Sequence, residues 1–260
     1  MDLGLKGKTA LVTGASRGIG FAISQSLAAE GCNLHIVARD EILLKQQAEI
    51  LSRKFGVDVA PHAHDLSVFE EIEKIGAKCS HVDILINNAG DIPNGNLLSV
   101  DRMAWRKGWD LKVYGYVDLT RLVYPGMCQR GSGAIINVIG AAAFNPNAEY
   151  IAGCMANIAL NMFTQCLGGE SMRHGVRVAA VHPGPTISDR HLAHVKERAK
   201  KLLGDENRWA ELHEKFPAKR AATVSEIADM VVFLASERSS YVSGASITID
   251  GGRTVSRSAS

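Results

Sequence analysis

This chain of 260 residues has no surplus of either charge, no long apolar run and no paired cysteine motif. Each absence removes a class of protein. Lys plus Arg number 29 against 27 Asp plus Glu, a net charge of +2, which argues against a nucleic-acid binder, whose affinity rests on a basic surface. No apolar run approaches the roughly 18 residues needed to cross a bilayer, so no membrane partner is expected. Met1 to Lys8 carries Asp2, Lys6 and Lys8 and leads into a strand-like run, unlike a secretory leader. Five scattered cysteines (Cys32, Cys79, Cys128, Cys154 and Cys166) form no Cys-x-x-Cys pair. They read as reduced thiols in a cytoplasmic protein. His62 and His64 flank Ala63, but no third ligand at metal spacing accompanies them, so no metal is expected. No repeat, low-complexity tract or Pro/Gly linker divides the chain. The composition, 46% hydrophobic and 22% charged, is that of a globular protein able to bury a core without disulfides or metals.

Short β-branched runs alternate with helical patterns. Strands are expected at 9–13, 34–38, 57–62, 82–86, 134–138, 176–181 and 245–249, and helices at 18–30, 41–54, 69–79, 101–129, 152–174 and 225–235. Continuously apolar strands separated by helices indicate a parallel sheet covered on both faces. With right-handed crossovers this is an α/β fold: a single Rossmann-like, doubly wound parallel sheet of about seven strands with helices on both faces. One domain is expected over 1–255, with a disordered tail at 256–260.

The turn Thr13-Gly14-Ala15-Ser16-Arg17-Gly18-Ile19-Gly20 joins the first strand to the first helix. Gly14 permits the tight turn, Gly18 lets backbone approach a pyrophosphate, and Gly20 lets helix and strand pack closely. The helix N-terminus, with Ser16 and Ile19 beside it, offers unpaired N–H groups and a positive dipole to the anion. A strand before and a helix after make this a dinucleotide site rather than a simple turn. The second strand ends in Ala38-Arg39, where an acidic residue would grip the 2′-hydroxyl of NAD. Arg39 and Arg17 together suit a 2′-phosphate, so NADP is expected ahead of NAD.

These motifs, followed by Asp65-Leu66, Asn87-Asn88-Ala89-Gly90, Pro183-Gly184, Tyr241-Val242-Ser243-Gly244 and Asp250-Gly251-Gly252, resemble the short-chain dehydrogenase/reductase family from about Leu5 to Gly252. The resemblance implies that Asp65 and Leu66 flank the adenine. It also implies that Asn88, Ala89 and Gly90 line the cofactor, that Pro183, Gly184, Thr186 and Ser188 hold the nicotinamide amide, and that a helical lid at about 186–222 covers the substrate. Helices 101–129 and 152–174 would form the interfaces of a homodimer or homotetramer.

The family's site uses Asn, Ser, Tyr and Lys, with a Tyr-x-x-x-Lys motif in which Tyr exchanges a proton with the substrate oxygen and Lys favours the ionised phenol. Here Tyr150 is followed four positions on by Cys154. Placing Tyr150 in the Tyr position requires three extra residues before Pro183, which would rotate the helix by about 60°. The gap-free register instead puts Gly140 in the Ser position, Gly153 in the Tyr position, Asn157 in the Lys position and Lys112 in the Asn position. Lys112 and Asn157 then exchange the family's Asn and Lys. This motivates a substitute constellation of Tyr150, Lys112 and Asn157, with Tyr150 one helical turn before the vacant Gly153.

His182, before Pro183, is a further acid/base candidate. The stretch 190–220 carries nine Lys and Arg, five Asp and Glu and three His. Such a basic lid suits an anionic substrate, or is a solvated helix pair. Trp109, Tyr114 and Tyr116 read as core or interface aromatics. The expectation is an NADP-dependent oxidoreductase interconverting a small-molecule carbonyl and alcohol. The competing readings are a catalytically silent NADP-binding subunit or regulatory homologue, and a non-redox enzyme that keeps the nucleotide as a structural element.

Overall fold

The structure, a computed structural model, describes residues 1–256, apart from the side chain of Arg190. The tail expected at 256–260 therefore lies, beyond Ser256, outside the described residues. Seven parallel strands, β1 (Thr9–Thr13), β2 (Asn33–Ala38), β3 (Val59–Ala63), β4 (Ile84–Asn87), β5 (Gly133–Val138), β6 (Val176–Pro183) and β7 (Ser246–Ile249), form one sheet. Their order is β3-β2-β1-β4-β5-β6-β7, so the chain winds outward from β1 in one direction and then reverses to β4. That reversal opens a crevice beyond the carboxyl ends of β1 and β4, the place where such sheets bind ligands.

Helices cover both faces. On one side α1 (Gly18–Ala29), α2 (Glu41–Phe55) and α8 (Val224–Ala235) bury Ile23, Leu27, Leu44, Leu51, Val231 and Leu234 against Val12, Ile36 and Ile136. On the other, α3 (Phe69–Cys79) and α5 (Gly115–Arg130) pack Ile72, Ile75, Leu119 and Val123 onto Leu11, Val37, Leu85 and Ile135. Alternate residues of one strand thus serve opposite cores, which explains why the strands are apolar throughout. Local signals fix several helix ends. Asp40 accepts from Leu43 N to start α2, Gly56 ends it in the left-handed region (φ 68°), and Thr223 with Glu226 forms a capping box on α8.

The long helix expected at 101–129 is interrupted. α4 (Arg102–Trp109) passes into a π-helical turn, Asp110–Tyr114, before α5 begins at Gly115. A Cβ on Gly115 would lie 3.0 Å from Leu66 O, so this segment runs unusually close to the loop after β3. Lys112 sits in the middle of the π turn. The helix α6 (Ile151–Ser171), with the short turn that extends it to His174, is long and apolar enough by composition to cross a membrane. It instead buries Ala152, Ala156 and Leu160 with Ala180 of β6 and Tyr116. The segment expected as a lid folds as α7 (Asp189–Leu203) followed by a 3-10 stretch, Glu206–His213.

Candidate active site

Two clefts meet at the carboxyl edge of the sheet, sharing Ile19 and Ser188. The first, about 630 Å³, is lined by Gly14, Ser16, Arg17, Gly18, Ile19 and Gly20 of the turn, by Val37, Ala38, Arg39 and Asp40 after β2, and by Leu66, Asn88, Ala89 and Gly90. Its shape depends on missing side chains. A Cβ on Gly14 (φ +65°) would sit 2.9 Å from Ala89 Cα, and one on Gly20 only 2.2 Å from Gly14 O. No side chain caps α1 at Arg17, so the first-turn amides face the cleft with the helix dipole behind them. That is the donor set a pyrophosphate needs, and the cleft fits a dinucleotide. At its far end Arg17 Nη2 lies 3.7 Å from Asp40 Oδ2 and Arg39 Nη2 lies 3.8 Å from Asp91 Oδ2. Both guanidinium groups are more than half exposed.

Two residues expected to contact the cofactor also bond within the protein. The Asn88 amide donates to Thr13 O and Gly14 O at 2.9 and 3.3 Å, while Thr13 Oγ1 accepts from the amides of Asn88 and Ala89. Asn88 therefore lines the cleft but spends its side chain bracing the glycine turn. Asp65 is not among the residues lining the cleft. Its carboxylate accepts from Ser67 N and Oγ at 3.0 and 2.8 Å. Partial burial pushes the Asp65 carboxyl up, but the Ser67 bonds and the charges of Arg39 and Lys107 outweigh it and hold it below its ordinary value. The turn after β3 uses Asp65 locally, and the neighbouring His64 faces the cleft instead. The sequence reading did not assign His64, Asp91, Leu111 or Asp189 to this cleft; only the fold brings them there.

The second cleft, about 1080 Å³, is lined by Lys112, Gly140, Tyr150, Asn157, Pro183, Gly184 and Thr186 and, from α7, by His191, His194, Arg198 and Lys201. The three residues of the proposed constellation therefore share one cavity. Lys112 is buried; its stem passes Gly90, where a Cβ would lie 3.0 Å from Lys112 Cδ, and its Nζ donates to Ile139 O at 2.6 Å. Lys112, buried on the π turn, thus lies between Gly90 of the first cleft and Ile139 of the second. Asn157 lies against Gly140, whose absent Cβ would be 3.0 Å from its Nδ2, and Asn157 Oδ1 is buried with no hydrogen-bond partner among the described residues. Gly140 itself (φ +145°) occupies backbone that a serine would adopt only with strain.

Tyr150 is not within α6 but caps it, with φ −145° and ψ 36°. From there its ring folds over the first turn. A Cβ placed on Gly153 would lie 2.0 Å from Tyr150 Cζ. The phenol thus fills the space that Gly153 leaves empty.

The other candidates are engaged elsewhere. His182 is fully buried, with Nδ1 3.0 Å from Gly140 O and Nε2 3.1 Å from Asn161 Oδ1. Burial, and then Lys112, hold its pKa below the ordinary value against the opposing Gly140 bond, and the ring braces Gly140. Tyr116 is buried and donates to Val138 O at 2.9 Å; burial, and then the nearby Tyr150, push its phenol far up. Trp109 Nε1 donates to Ala152 O at 3.1 Å, and Tyr114 is exposed. The sequence places no third ligand at metal spacing beside His62 and His64, but the fold adds neighbours to His62. His35 and Cys79, remote in sequence, lie beside it.

Residues 14–254 match the family profile described as enoyl-(acyl carrier protein) reductase. The chain belongs to the short-chain dehydrogenase/reductase family. It is 30% identical over 259 residues to an L-xylulose reductase of Mesocricetus auratus, covering 97% of this chain and 98% of that protein. It is 33% identical to a 3-oxoacyl-(acyl-carrier-protein) reductase of Staphylococcus epidermidis, covering 94% and 98%. Among solved structures, the L-sorbose reductase of Gluconobacter frateurii, complexed with NADPH and L-sorbose, superimposes with a TM-score of 0.93 at 34% identity, over 99% of this chain and all of that one. Membership brings the family's class of chemistry, NAD(P)-dependent oxidoreduction between carbonyl and alcohol.

Proposed function

We propose that this short-chain dehydrogenase/reductase uses NADP(H) and exchanges the substrate proton through Tyr150, with Lys112 as the cation of the site. The observation that carries this reading is the Tyr150 ring, which occupies the space over Gly153 in the cavity that Lys112 and Asn157 also line. The nucleotide would rest on the amides of Gly18, Ile19 and Gly20, with Arg17 and Arg39 on its 2′-phosphate and Pro183, Gly184, Thr186 and Ser188 beside the nicotinamide amide. The orphaned acceptor Asn157 Oδ1 calls for a hydroxyl donor, which the nicotinamide ribose offers. The NADPH-bound structural relative is consistent with this preference.

When bound, the nicotinamide supplies a hydride to the carbonyl carbon or takes one from the alcohol. In reduction, Tyr150 Oη releases its proton to the developing alkoxide and regains one from water; in oxidation the proton runs the other way. The Lys112 ammonium, donating to Ile139 O beside Gly140, supplies fixed positive charge that favours negative oxygen in this cavity. Lys112 replaces the charge that Asn157 cannot carry. His194, Arg198 and Lys201 give the α7 wall of the cavity a basic character, which fits a small carbonyl or alcohol bearing a carboxylate or phosphate. Met155, Ile158 and Met162 are exposed along one face of α6, a stripe suited to a homo-oligomer interface. Five free thiols fit a reducing cytoplasm.

The test is NADPH consumption across a panel of anionic and neutral ketones and aldehydes. Turnover by the wild type that falls at least about 100-fold in Tyr150→Phe supports the proposal. Tight NADPH binding without turnover of any member supports the silent-subunit reading, which rests on glycine at both 140 and 153.

A further inference from the structure

A second constellation lies under α3, at the lateral edge of the sheet that β3 forms. The β2–β3 register pairs Val37 with His62 and His35 with Ala60. His35, Val37 and His62 therefore share one face, because strand side chains alternate. Cys79, the last residue of α3 and fully buried, closes over the same face. His35 Nδ1 lies 2.8 Å from His62 Nε2, and with Cys79 each residue offers a ligand atom within 4.8 Å of the others. The His81 ring stands edge-on to His35 at 5.4 Å.

We propose that His35, His62 and Cys79 bind a zinc-class divalent cation as a structural clip, with water or His81 in the fourth position. Two imidazoles and a thiolate form a borderline-soft set that suits Zn²⁺ or Co²⁺ and offers nothing to Mg²⁺ or Ca²⁺, which take oxygen ligands. Ligand atoms around tetrahedral zinc stand roughly 3.3–3.6 Å apart, so side-chain adjustment of about an ångström closes the site on an ion. On binding, Cys79 loses its proton to solvent as the metal–sulfur bond forms, and both imidazoles coordinate as neutral bases. Lys78, also on α3, opposes positive charge at His62.

The placement explains what the clip would do. β3, Val59–Ala63, is the edge strand, contains Pro61 and has no fully buried residue. It pairs with β2 alone in the sheet and packs against α2, with Val59 on the core. A metal held by β2, β3 and α3 would join the three at that edge. It would also fix His64, whose ring lies 6.5 Å from that of His62 and which lines the nucleotide cleft.

Cobalt titration of the metal-stripped full chain tests this directly. One equivalent should produce a thiolate-to-cobalt charge-transfer band and tetrahedral d–d bands, zinc should displace them, and zinc should raise Tm. The band should vanish in Cys79→Ala and in His62→Gln but persist in Cys166→Ser. X-ray absorption on the zinc-loaded wild type, which needs no variant to fold, should show one sulfur with nitrogen ligands. No thiolate band, a band surviving in Cys79→Ala or His62→Gln, or a zinc shell without sulfur overturns the proposal and leaves the pair as a His–His hydrogen bond. None of these outcomes bears on Tyr150, so this site and the catalytic reading stand or fall separately.

Discussion

Replacing Gly153 by alanine adds one methyl group to the protein and tests the site through a residue that carries no chemistry. The new Cβ would stand 2.0 Å from Tyr150 Cζ and 2.1 Å from its Cε1, far inside contact distance, so the ring must leave. Tyr150 is half-buried and at the end of a rotatable side chain, so it can swing away without moving the backbone. Alanine gains about 1 kcal/mol of helix propensity over glycine, which offsets much of the lost ring packing. The variant should therefore fold with stability within about 1 kcal/mol of wild type. Its activity should behave differently. A positioned proton donor contributes about 10²–10⁴ in rate, or about 2.7–5.5 kcal/mol of barrier. Gly153→Ala should lose most of that in kcat, with NADPH affinity intact because the first cleft is untouched. Adding Tyr150→Phe to Gly153→Ala should then cost little more, since both changes remove one interaction. Thermal melts, NADPH titration and steady-state NADPH oxidation measure the three quantities. Near-wild-type kcat in Gly153→Ala, or fully additive losses in the double variant, would refute the placement of the phenol.

Gly20→Ala meets backbone rather than a movable ring, 2.2 Å from Gly14 O. It should destabilise the fold by about 1–3 kcal/mol and weaken NADPH binding more than tenfold, read by melting and fluorescence titration. Arg39→Ser together with Arg17→Ser should weaken NADPH by at least about tenfold, roughly 1.4 kcal/mol, while leaving NADH unchanged; equal weakening of both would remove the 2′-phosphate assignment. His191, whose Nε2 lies 3.1 Å from His213 Nε2, has its pKa lowered to about 4 by burial and then by His213 and His194. It stays neutral in the fold while the unfolded chain takes up protons below about pH 6.5. The stability it confers is thus present above the unfolded value and is lost as pH falls towards about 4. Tm should fall over that window, and fall less steeply in His191→Gln.

The succession of strands and helices and the glycine turn were legible because both are written locally: continuous apolar runs bounded by turns, and glycines at fixed spacing between strand and helix. The gap-free register through 158–164 also singled out Gly140, Gly153, Asn157 and Lys112. What the sequence could not show depended on backbone departures from ideal elements. A helix over 101–129 gives no hint that Asp110–Tyr114 winds as a π turn, yet Lys112 is buried on that turn. Helical rise placed Tyr150 about 4.5 Å along the axis from Gly153; its capping conformation instead folds the ring back onto Gly153. Asp65, placed at the adenine by resemblance, also bonds Ser67 in a local turn that spacing does not announce. The histidine–cysteine cluster was invisible for another reason: it requires the β2–β3 register and the end of α3 together, and neither can be read from spacing around His62.

In the proposed reaction Tyr150 delivers the proton that accompanies hydride transfer. A single-turnover measurement of NADPH oxidation, with enzyme in excess over a carbonyl substrate that the wild type reduces, isolates that step. Tyr150→Phe should bind NADPH as tightly as wild type but oxidise it at least about 100-fold more slowly. Equal single-turnover rates in the two proteins would contradict it.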